Sequence, residues 1–154
     1  MKNVIIALDY DPTAEKVAEA GFALAKALSA TVILLHVVSE PSYYSSSAYS
    51  PIMGFGGYGN VDILQPDIND NLRKASQTFL DRSKEHLGDS NIQTLVKEGD
   101  IADSIIGAAK DIAADVIVIG SHSRKWLDAI VMGSVTEKVL RHTTIPLFIV
   151  PTKK

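Results

Sequence analysis

Residues 4–38 read VIIALDYDPTAEKVAEAGFALAKALSATVILLHVV, and this stretch decides the fold. At one end, Val4–Leu8 is an unbroken apolar run rich in β-branched residues, the pattern of a strand buried on both faces of a sheet, and at the other end Thr31–Val38 predicts a second buried strand. Between them, Asp11 and Pro12 predict a helix start, and apolar residues follow at helical spacing. Two strands joined by a helical crossover favour parallel pairing, so the stretch predicts a βαβ unit.

Helices and strands continue to alternate along the rest of the chain. Helical periodicity runs from Asp67 to Leu87, and a second helical pattern follows Gly99 and Asp100. Short strands are predicted at three further places, residues 92–96, 116–119 and 145–150. This order predicts an α/β fold with an open five-stranded parallel sheet sandwiched by helices, formed by a single domain over residues 1–154.

Composition excludes several classes of function. The chain has no cysteine, which excludes a disulfide scaffold, a thiolate zinc site and a cysteine nucleophile and fits a reducing cytoplasm. A net charge of -3 provides no basic field for phosphates, so nucleic acid is not an expected partner. The apolar run at the N-terminus is too short for a signal peptide or a membrane span. We therefore expect a soluble cytoplasmic protein with no membrane partner.

Residues 39–66 differ in composition from the rest of the chain and are rich in Ser, Tyr, Gly and Pro. A loop of this length in a compact domain is uncommon, and three interpretations stay open: a functional lid, a partner-binding surface or a disordered segment. The run from Gly54 to Gly59 matches the letters of the dinucleotide fingerprint, but no strand precedes it and no helix follows it. We expect no dinucleotide site there.

The stretch after the strand at 116–119 contains the residues that point to a ligand. The chain leaves this strand at Gly120, and Gly133 with Ser134 later opens a helical pattern. A helix N-terminus offers unpaired N–H groups and a partial positive charge, and a glycine there lets a phosphate approach the backbone. Ser134 and Thr136 can add hydroxyl donors. The pattern predicts a phosphate-binding helix start.

Asp9 directly follows the first strand and is the second candidate for the site. Ligands of open α/β sheets bind beyond the carboxyl ends of strands, where the winding direction reverses. If the strand at 116–119 lies on the other side of the first strand from the second, Asp9 and Gly120 face one crevice. A carboxylate does not bind phosphate, so Asp9 is expected to accept a hydrogen bond from a ribose hydroxyl or a base. The site is therefore interpreted as a nucleotide site.

These segments resemble the universal stress protein family, of the UspA type and the ATP-binding branch. The similarity covers essentially the whole chain, from VIIALD through LLHVV and VIVIGSHS to GSVTEKVLRH and IPLFIVP. The ATP-binding members carry Gly-x-x-Gly, nine residues and then Gly-(Ser/Thr), whereas this chain has Gly120-x-x-Ser123, nine residues and then Gly133-Ser134. The resemblance implies an adenine-nucleotide α-hydrolase-like, Rossmann-like fold with a long loop after the second strand.

The resemblance also implies a role for each residue of the motif. Asp9 contacts the adenosine moiety, Val37 lies at the adenine, and Ala7 stands where the family often has proline. The other implied site residues are Ile119 and Gly120 in the pocket wall, His122 and Ser123 in the phosphate loop, and Gly133, Ser134, Val135 and Thr136 at the phosphates. The implied ligand is ATP, or ADP or AMP, and Mg²⁺ would enter with the triphosphate because the four scattered histidines predict no metal site.

The leading hypothesis is an ATP-binding stress-response protein that acts as a sensor or regulator through its conformation or its protein partners. The alternative is an interaction protein of the same family with a degenerate pocket, because Ser123 replaces a motif glycine. No carboxylate stands beside the predicted phosphate loop as a general base, so at most slow ATP hydrolysis or self-phosphorylation at Ser134 is expected. Adenylyl transfer rests on fold analogy alone and ranks last.

A homodimer is expected from the end of the chain. Ile145–Val150 is an apolar strand, and an open edge of this kind invites aggregation unless another strand covers it. Pairing with a second copy removes the edge, and the family resemblance implies the same contact. The other protein partners are unknown.

Overall fold

The computed structural model describes residues 2–9, 13–38, 67–121 and 133–152. In chain order its elements are β1 (Asn3–Ala7), α1 (Ala14–Ala27), β2 (Thr31–Val38), α2 (Asp67–Leu87), β3 (Gln93–Glu98), α3 (Ile101–Asp111), β4 (Val116–Gly120), α4 (Ser134–His142) and β5 (Leu147–Val150). The strands form one parallel sheet in the order β3-β2-β1-β4-β5. The predicted α/β fold with a five-stranded parallel sheet is confirmed.

The winding of the sheet reverses between β1 and β4. The chain moves outward from β1 through β2 to β3, and then returns to the other side of β1 for β4 and β5. The carboxyl ends of β1 and β4 are therefore neighbours, which meets the condition under which Asp9 and Gly120 were expected to face one crevice. At the opposite edge, the Asp115 carboxylate accepts hydrogen bonds from the backbone N–H groups of Lys2 and Asn3, at 2.6 and 3.0 Å. This clamp fixes β1 beside β4 from the amino end.

The sheet is covered by helices on both faces, since alternate residues of its central strands point to opposite sides. Val4 and Ile6 of β1 belong to the apolar cluster under α1 and α2, whereas Ile5 belongs to the cluster under α3 and α4. The α1 helix approaches the sheet closely at Gly21, where an added Cβ would lie 2.7 Å from Ile6 Cδ1. The two layers hold the central strands in a fixed register.

Several predicted boundaries were wrong by one or two residues. The first strand, predicted over 4–8, runs from 3 to 7, and β4, predicted over 116–119, continues to Gly120. The first helix begins at Ala14 with Thr13 at its N-cap, so the predicted start at Asp11 and Pro12 was too early, and these two residues lie outside the described ones. The strand predicted over 92–96 runs from 93 to 98, because its pairing with β2 continues to Val38↔Glu98.

The last strand begins at Leu147 rather than at Ile145, where the sequence placed it. The Ile145 N–H donates to Thr143 Oγ1 at 2.9 Å, so this residue belongs to the turn after α4. The predicted long loop over 39–66 lies outside the described residues.

Candidate functional site

A cleft opens at the carboxyl edge of the sheet, where the winding reverses. Its walls come from the ends of β1, β2 and β4 and from the first turns of α1, α3 and α4. Of the residues that the sequence assigned to a site, the cleft is lined by Ala7, Asp9, Val37, Ile119, Gly120, Val135 and Thr136. These residues come from the ends of β1, β2 and β4 and from α4, which are distant from one another in the sequence.

Asp9 stands at the end of β1 on a backbone that β2 holds in place. The preceding residue, Leu8, donates its N–H to the Leu35 carbonyl at 2.8 Å. The Leu8 carbonyl lies 2.8 Å from Nδ1 of His36. Both polar groups of Leu8 therefore contact β2, and Asp9 follows directly from this fixed point.

The opposite wall is built where β4 passes into the segment before α4. Thr136 Oγ1 donates to the Gly120 carbonyl at 2.7 Å, and the Gly133 N–H donates to the Ser121 carbonyl at 2.8 Å. These bonds join the end of the strand to the start of the helix. Thr136 is buried, and its only proton is used on Gly120, so the expected hydroxyl donor is committed inside the protein.

The N-terminus of α4 has no side-chain cap. Gly133 is the N-cap residue, with φ -62° and ψ 156°, and among the described residues no side-chain capping bond is found at this helix start. Val135 in this turn lines the cleft, whereas Gly133 and Ser134 do not, and Ser134 is exposed. The first backbone N–H groups of the helix and its positive dipole end thus lie at the rim of the cavity. The predicted residues His122 and Ser123 lie outside the described residues.

His36 of β2 lines the same cleft. The side chain is buried, and its ring meets the Phe79 ring edge to face at 5.5 Å. Burial lowers the pKa of His36, while the hydrogen bond to Leu8 and the charge of Asp9 act in the opposite direction. In the sequence, His36 directly precedes Val37, a predicted site residue, and this position is the signal that could have indicated its place in the cleft.

Other lining residues were missed because nothing in their local pattern distinguishes them from core positions. Leu8 and Leu35 come from the strands, Thr13 comes from the start of α1, and Ile101 and Ile105 come from α3. Their side chains make one wall of the cavity mostly apolar. A cavity with an apolar wall, one carboxylate and one open helix start can take a ligand with a flat apolar part and an anionic part.

A second group of polar side chains lies on the surface between α1 and α2. His86 Nε2 is 2.7 Å from a carboxylate oxygen of Glu19 and 3.0 Å from one of Glu15. The hydrogen bond that His86 donates to Glu19 and the charge of Glu15 raise the pKa of His86 above its usual value. His86 is exposed, and both of its partners belong to another helix, α1. Ion pairing accounts for the cluster.

A doubly wound α/β sheet with its cleft at the reversal point belongs to the class of folds that bind ligands at the carboxyl edge. Within this class, the model of the universal stress protein family matches residues 1–151. The chain therefore belongs to the universal stress protein family.

Known relatives agree in length and in fold. Universal stress protein MJ0577 of Methanocaldococcus jannaschii is 26% identical over 155 residues, which cover 99% of this chain and 96% of that protein. The solved structure of MJ0577 superposes with a TM-score of 0.73 and covers 99% of this chain and 97% of that one. A universal stress protein crystallised in complex with cAMP has a TM-score of 0.61 at 21% identity, covering 98% and 97% of the two chains. At this level of identity, the similarity to the cAMP complex shows a shared fold.

Among the described helices, none combines the length and the apolar composition that a membrane crossing requires.

Proposed function

We propose that this universal stress protein binds an adenine nucleotide, with ATP as the leading candidate, in the cleft at the carboxyl edge of its sheet. The bound state then acts as a signal, through conformation or partner binding, in a cytoplasmic stress response. The observation that supports this most is the presence of the Asp9 carboxylate and the open N-terminus of α4 at one cavity. The whole chain is proposed to work as one domain.

The apolar part of the cleft suits the base and the sugar. Val37, Ile119 and Ile105 line the cleft with apolar side chains, against which a purine ring can pack. Asp9 stands beside this surface and can accept a hydrogen bond from a ribose hydroxyl, as acidic residues do in other nucleotide crevices. The adenosine moiety is therefore assigned to the side of the cleft formed by β1, β2 and α3.

The phosphates are assigned to the start of α4. The N–H groups of its first turn have no side-chain cap, and a phosphate is the anion that such a helix start binds best. Gly133 and Ser134 are proposed to contact the phosphates outside the cavity wall, together with His122 and Ser123. Mg²⁺ would arrive with a triphosphate, since the described residues at the cleft offer one carboxylate only, Asp9.

The proposed role is binding rather than rapid catalysis. Asp9 is the only carboxylate among the described residues that line the cleft, and it belongs to the adenosine side. Hydrolysis needs a base close to the terminal phosphate, so Asp9 cannot activate a water there. Slow hydrolysis or self-phosphorylation at the exposed Ser134 is the most that this arrangement supports.

We also propose that two copies associate along β5. This strand is an edge of the sheet, and Phe148 on it keeps 39% of its surface exposed. Leu140 on the neighbouring α4 keeps 47% exposed. A second β5 would cover both the free backbone edge and this apolar surface. Light scattering at micromolar concentration tests the proposal. We expect the mass of two chains, and the mass of a single chain would contradict the proposal.

The decisive experiment for the ligand is extraction followed by titration. Purified protein is heat-denatured, the supernatant is chromatographed, and nucleotide-free protein is titrated by calorimetry with ATP, ADP, AMP and cAMP in the presence of Mg²⁺. We expect Asp9→Asn to weaken ATP binding by at least about tenfold, the loss of one hydrogen bond to a charged group. Asp111→Asn, an exposed aspartate at the end of α3, is the matched control and should bind as the wild type does.

No extracted nucleotide and no heat of binding would favour the alternative function. The cleft would then be degenerate, as the serine at position 123 of the motif suggested, and the protein would act through protein partners alone. Residues 39–66 would be the first segment to test for such contacts.

A further inference from the structure

The cleft contains one buried titratable side chain that the proposed function does not use, His36. It is 2% exposed and belongs to β2, next to Val37 in the cavity wall. Its Nδ1 atom lies 2.8 Å from the Leu8 carbonyl oxygen. A carbonyl only accepts, so Nδ1 bears the proton and donates to it. The ring N–H therefore donates to the backbone directly after β1.

The acceptor of this bond belongs to the peptide group that leads into Asp9. The Leu8 carbonyl and the Asp9 N–H lie in one rigid plane, so fixing the carbonyl fixes the plane from which the Asp9 side chain departs. Backbone pairing of β1 with β2 ends at Ala7↔Leu35, and only the Leu8 N–H continues it by donating to the Leu35 carbonyl. The His36 ring supplies the next bond, at the point where β1 leaves the sheet.

The ring can do this because its own position is fixed. Phe79 of α2 packs against it with an interplanar angle of 70°, and apolar residues of the same cluster surround this face of the sheet. A donor that is held by packing defines one orientation of its acceptor, whereas a flexible donor would follow the acceptor.

We infer that His36 is a positioning residue for Asp9: its hydrogen bond to the Leu8 carbonyl orients the Asp9 carboxylate toward the ligand in the cleft. The statement that Asp9 is oriented toward a ligand rests on the proposed function. The statement that His36 fixes the orientation of Asp9 does not, so the experiments can test the positioning role and the proposed function separately.

The first experiment is a double-mutant cycle of ATP affinity, measured by calorimetry. His36→Leu should weaken ATP binding by about threefold to tenfold, the worth of one hydrogen bond. In the Asp9→Asn background, the same change should cause almost no further loss, because His36 acts through Asp9. His36→Asn restores an N–H donor near the position of Nδ1 and should recover most of the affinity. His142→Leu, an exposed histidine on α4, is the control.

The second experiment needs no ligand. The NMR order parameter of the Asp9 amide is measured in the nucleotide-free protein, with the amide of Asn3 at the other end of β1 as the reference. We expect His36→Leu to lower the order parameter at Asp9 alone, and His36→Asn to preserve it. Melting temperatures of all variants show whether each is folded.

Each outcome decides between the two proposals. An unchanged Asp9 amide in His36→Leu, or equal losses of ATP affinity in both backgrounds, would overturn the positioning role. If the wild type binds no nucleotide, the proposed function fails, and the order parameter still decides whether His36 orients Asp9.

Discussion

The helices α3 and α4 begin at the same edge of the sheet with nearly the same backbone, yet their N-termini differ. The N-cap residue Asp100 of α3 has φ -64° and ψ 132°, close to the values at Gly133 of α4. The Asp100 carboxylate accepts from the Asp103 N–H at 2.9 Å, and this bond, followed by that of Lys138, holds its pKa below the usual value. Gly133 has no side chain, so it cannot cap α4 in this way. This one side chain distinguishes the self-capped start of α3 from the start of α4, where the phosphates are proposed to bind.

Converting the open helix start into the closed one should have the largest effect. An aspartate in Gly133→Asp can keep the backbone angles that Gly133 has now. Its carboxylate can then cap α4 as that of Asp100 caps α3. It also places a negative charge where the phosphates are proposed to bind. We expect ATP affinity to fall by at least about a hundredfold, because like charges in contact cost several kcal/mol.

Gly133→Asn separates the two causes in this variant, because it offers a similar cap without the charge. Its loss of ATP affinity should be clearly smaller than that of Gly133→Asp in the same calorimetric titration. Equal losses would mean that the charge has no role, and wild-type affinity in Gly133→Asp would remove α4 from the site.

A substitution in the core should lower the stability of the fold without changing either helix N-terminus. In Gly21→Val, the added atoms start 2.7 Å from Ile6 Cδ1 and 3.1 Å from Val118 Cγ1, so the free energy of unfolding should fall by about 1–3 kcal/mol. Denaturant titration measures it, and ATP affinity of the folded fraction should stay within twofold of the wild type. Gly107→Ala on α3, where an added Cβ meets nothing within 4 Å, is the control and should raise stability by about 1 kcal/mol.

Opening the closed helix should cost less. Asp100→Ala removes the cap of α3 and should lower the free energy of unfolding by about 1 kcal/mol, with no change in ATP affinity. Because the folded pKa of Asp100 lies below its usual value, its contribution is present above that usual value and is lost as the pH falls through the folded pKa. The difference between wild type and variant should therefore shrink in acid, and a constant difference would contradict the capping role.

The smallest effect is expected at the ion pair between the two helices. Lys138 of α4 lies 3.0 Å from the Asp100 carboxylate of α3, and both side chains are largely exposed. Lys138→Gln should lower the melting temperature slightly at low salt and not at all in 1 M salt, where surface pairs are screened. A large loss that persists in salt would show that Lys138 supports the helix by packing.

The fold could be predicted from the sequence because its decisive signals are local. The predominantly apolar runs of β1, β2 and β4 are visible in the sequence itself, and the crossover rule then orders them. The crevice between Asp9 and Gly120 followed from the same rule, since strand ends that are neighbours in the sheet share an edge.

The remaining details depend on distances that no local pattern contains. Thr136 donates to Gly120 only because β4 ends where α4 begins to pack, and the sequence offered this hydroxyl to a phosphate instead. His36 reaches the Leu8 carbonyl across 28 positions of sequence, and His86 reaches Glu19 across 67. Side-chain partners across elements became visible only in the folded chain.

The most direct test of the central claim is an NMR titration of the full chain with ATP and Mg²⁺. If the cleft is the nucleotide site, the backbone amide signals of Asp9, Gly120, Val135 and Thr136 shift together and saturate with one binding constant, while those of Asp111 and Asp115 stay in place. Shifts confined to other surfaces, or no shifts at millimolar ATP, would contradict the assignment of this cleft as the nucleotide site.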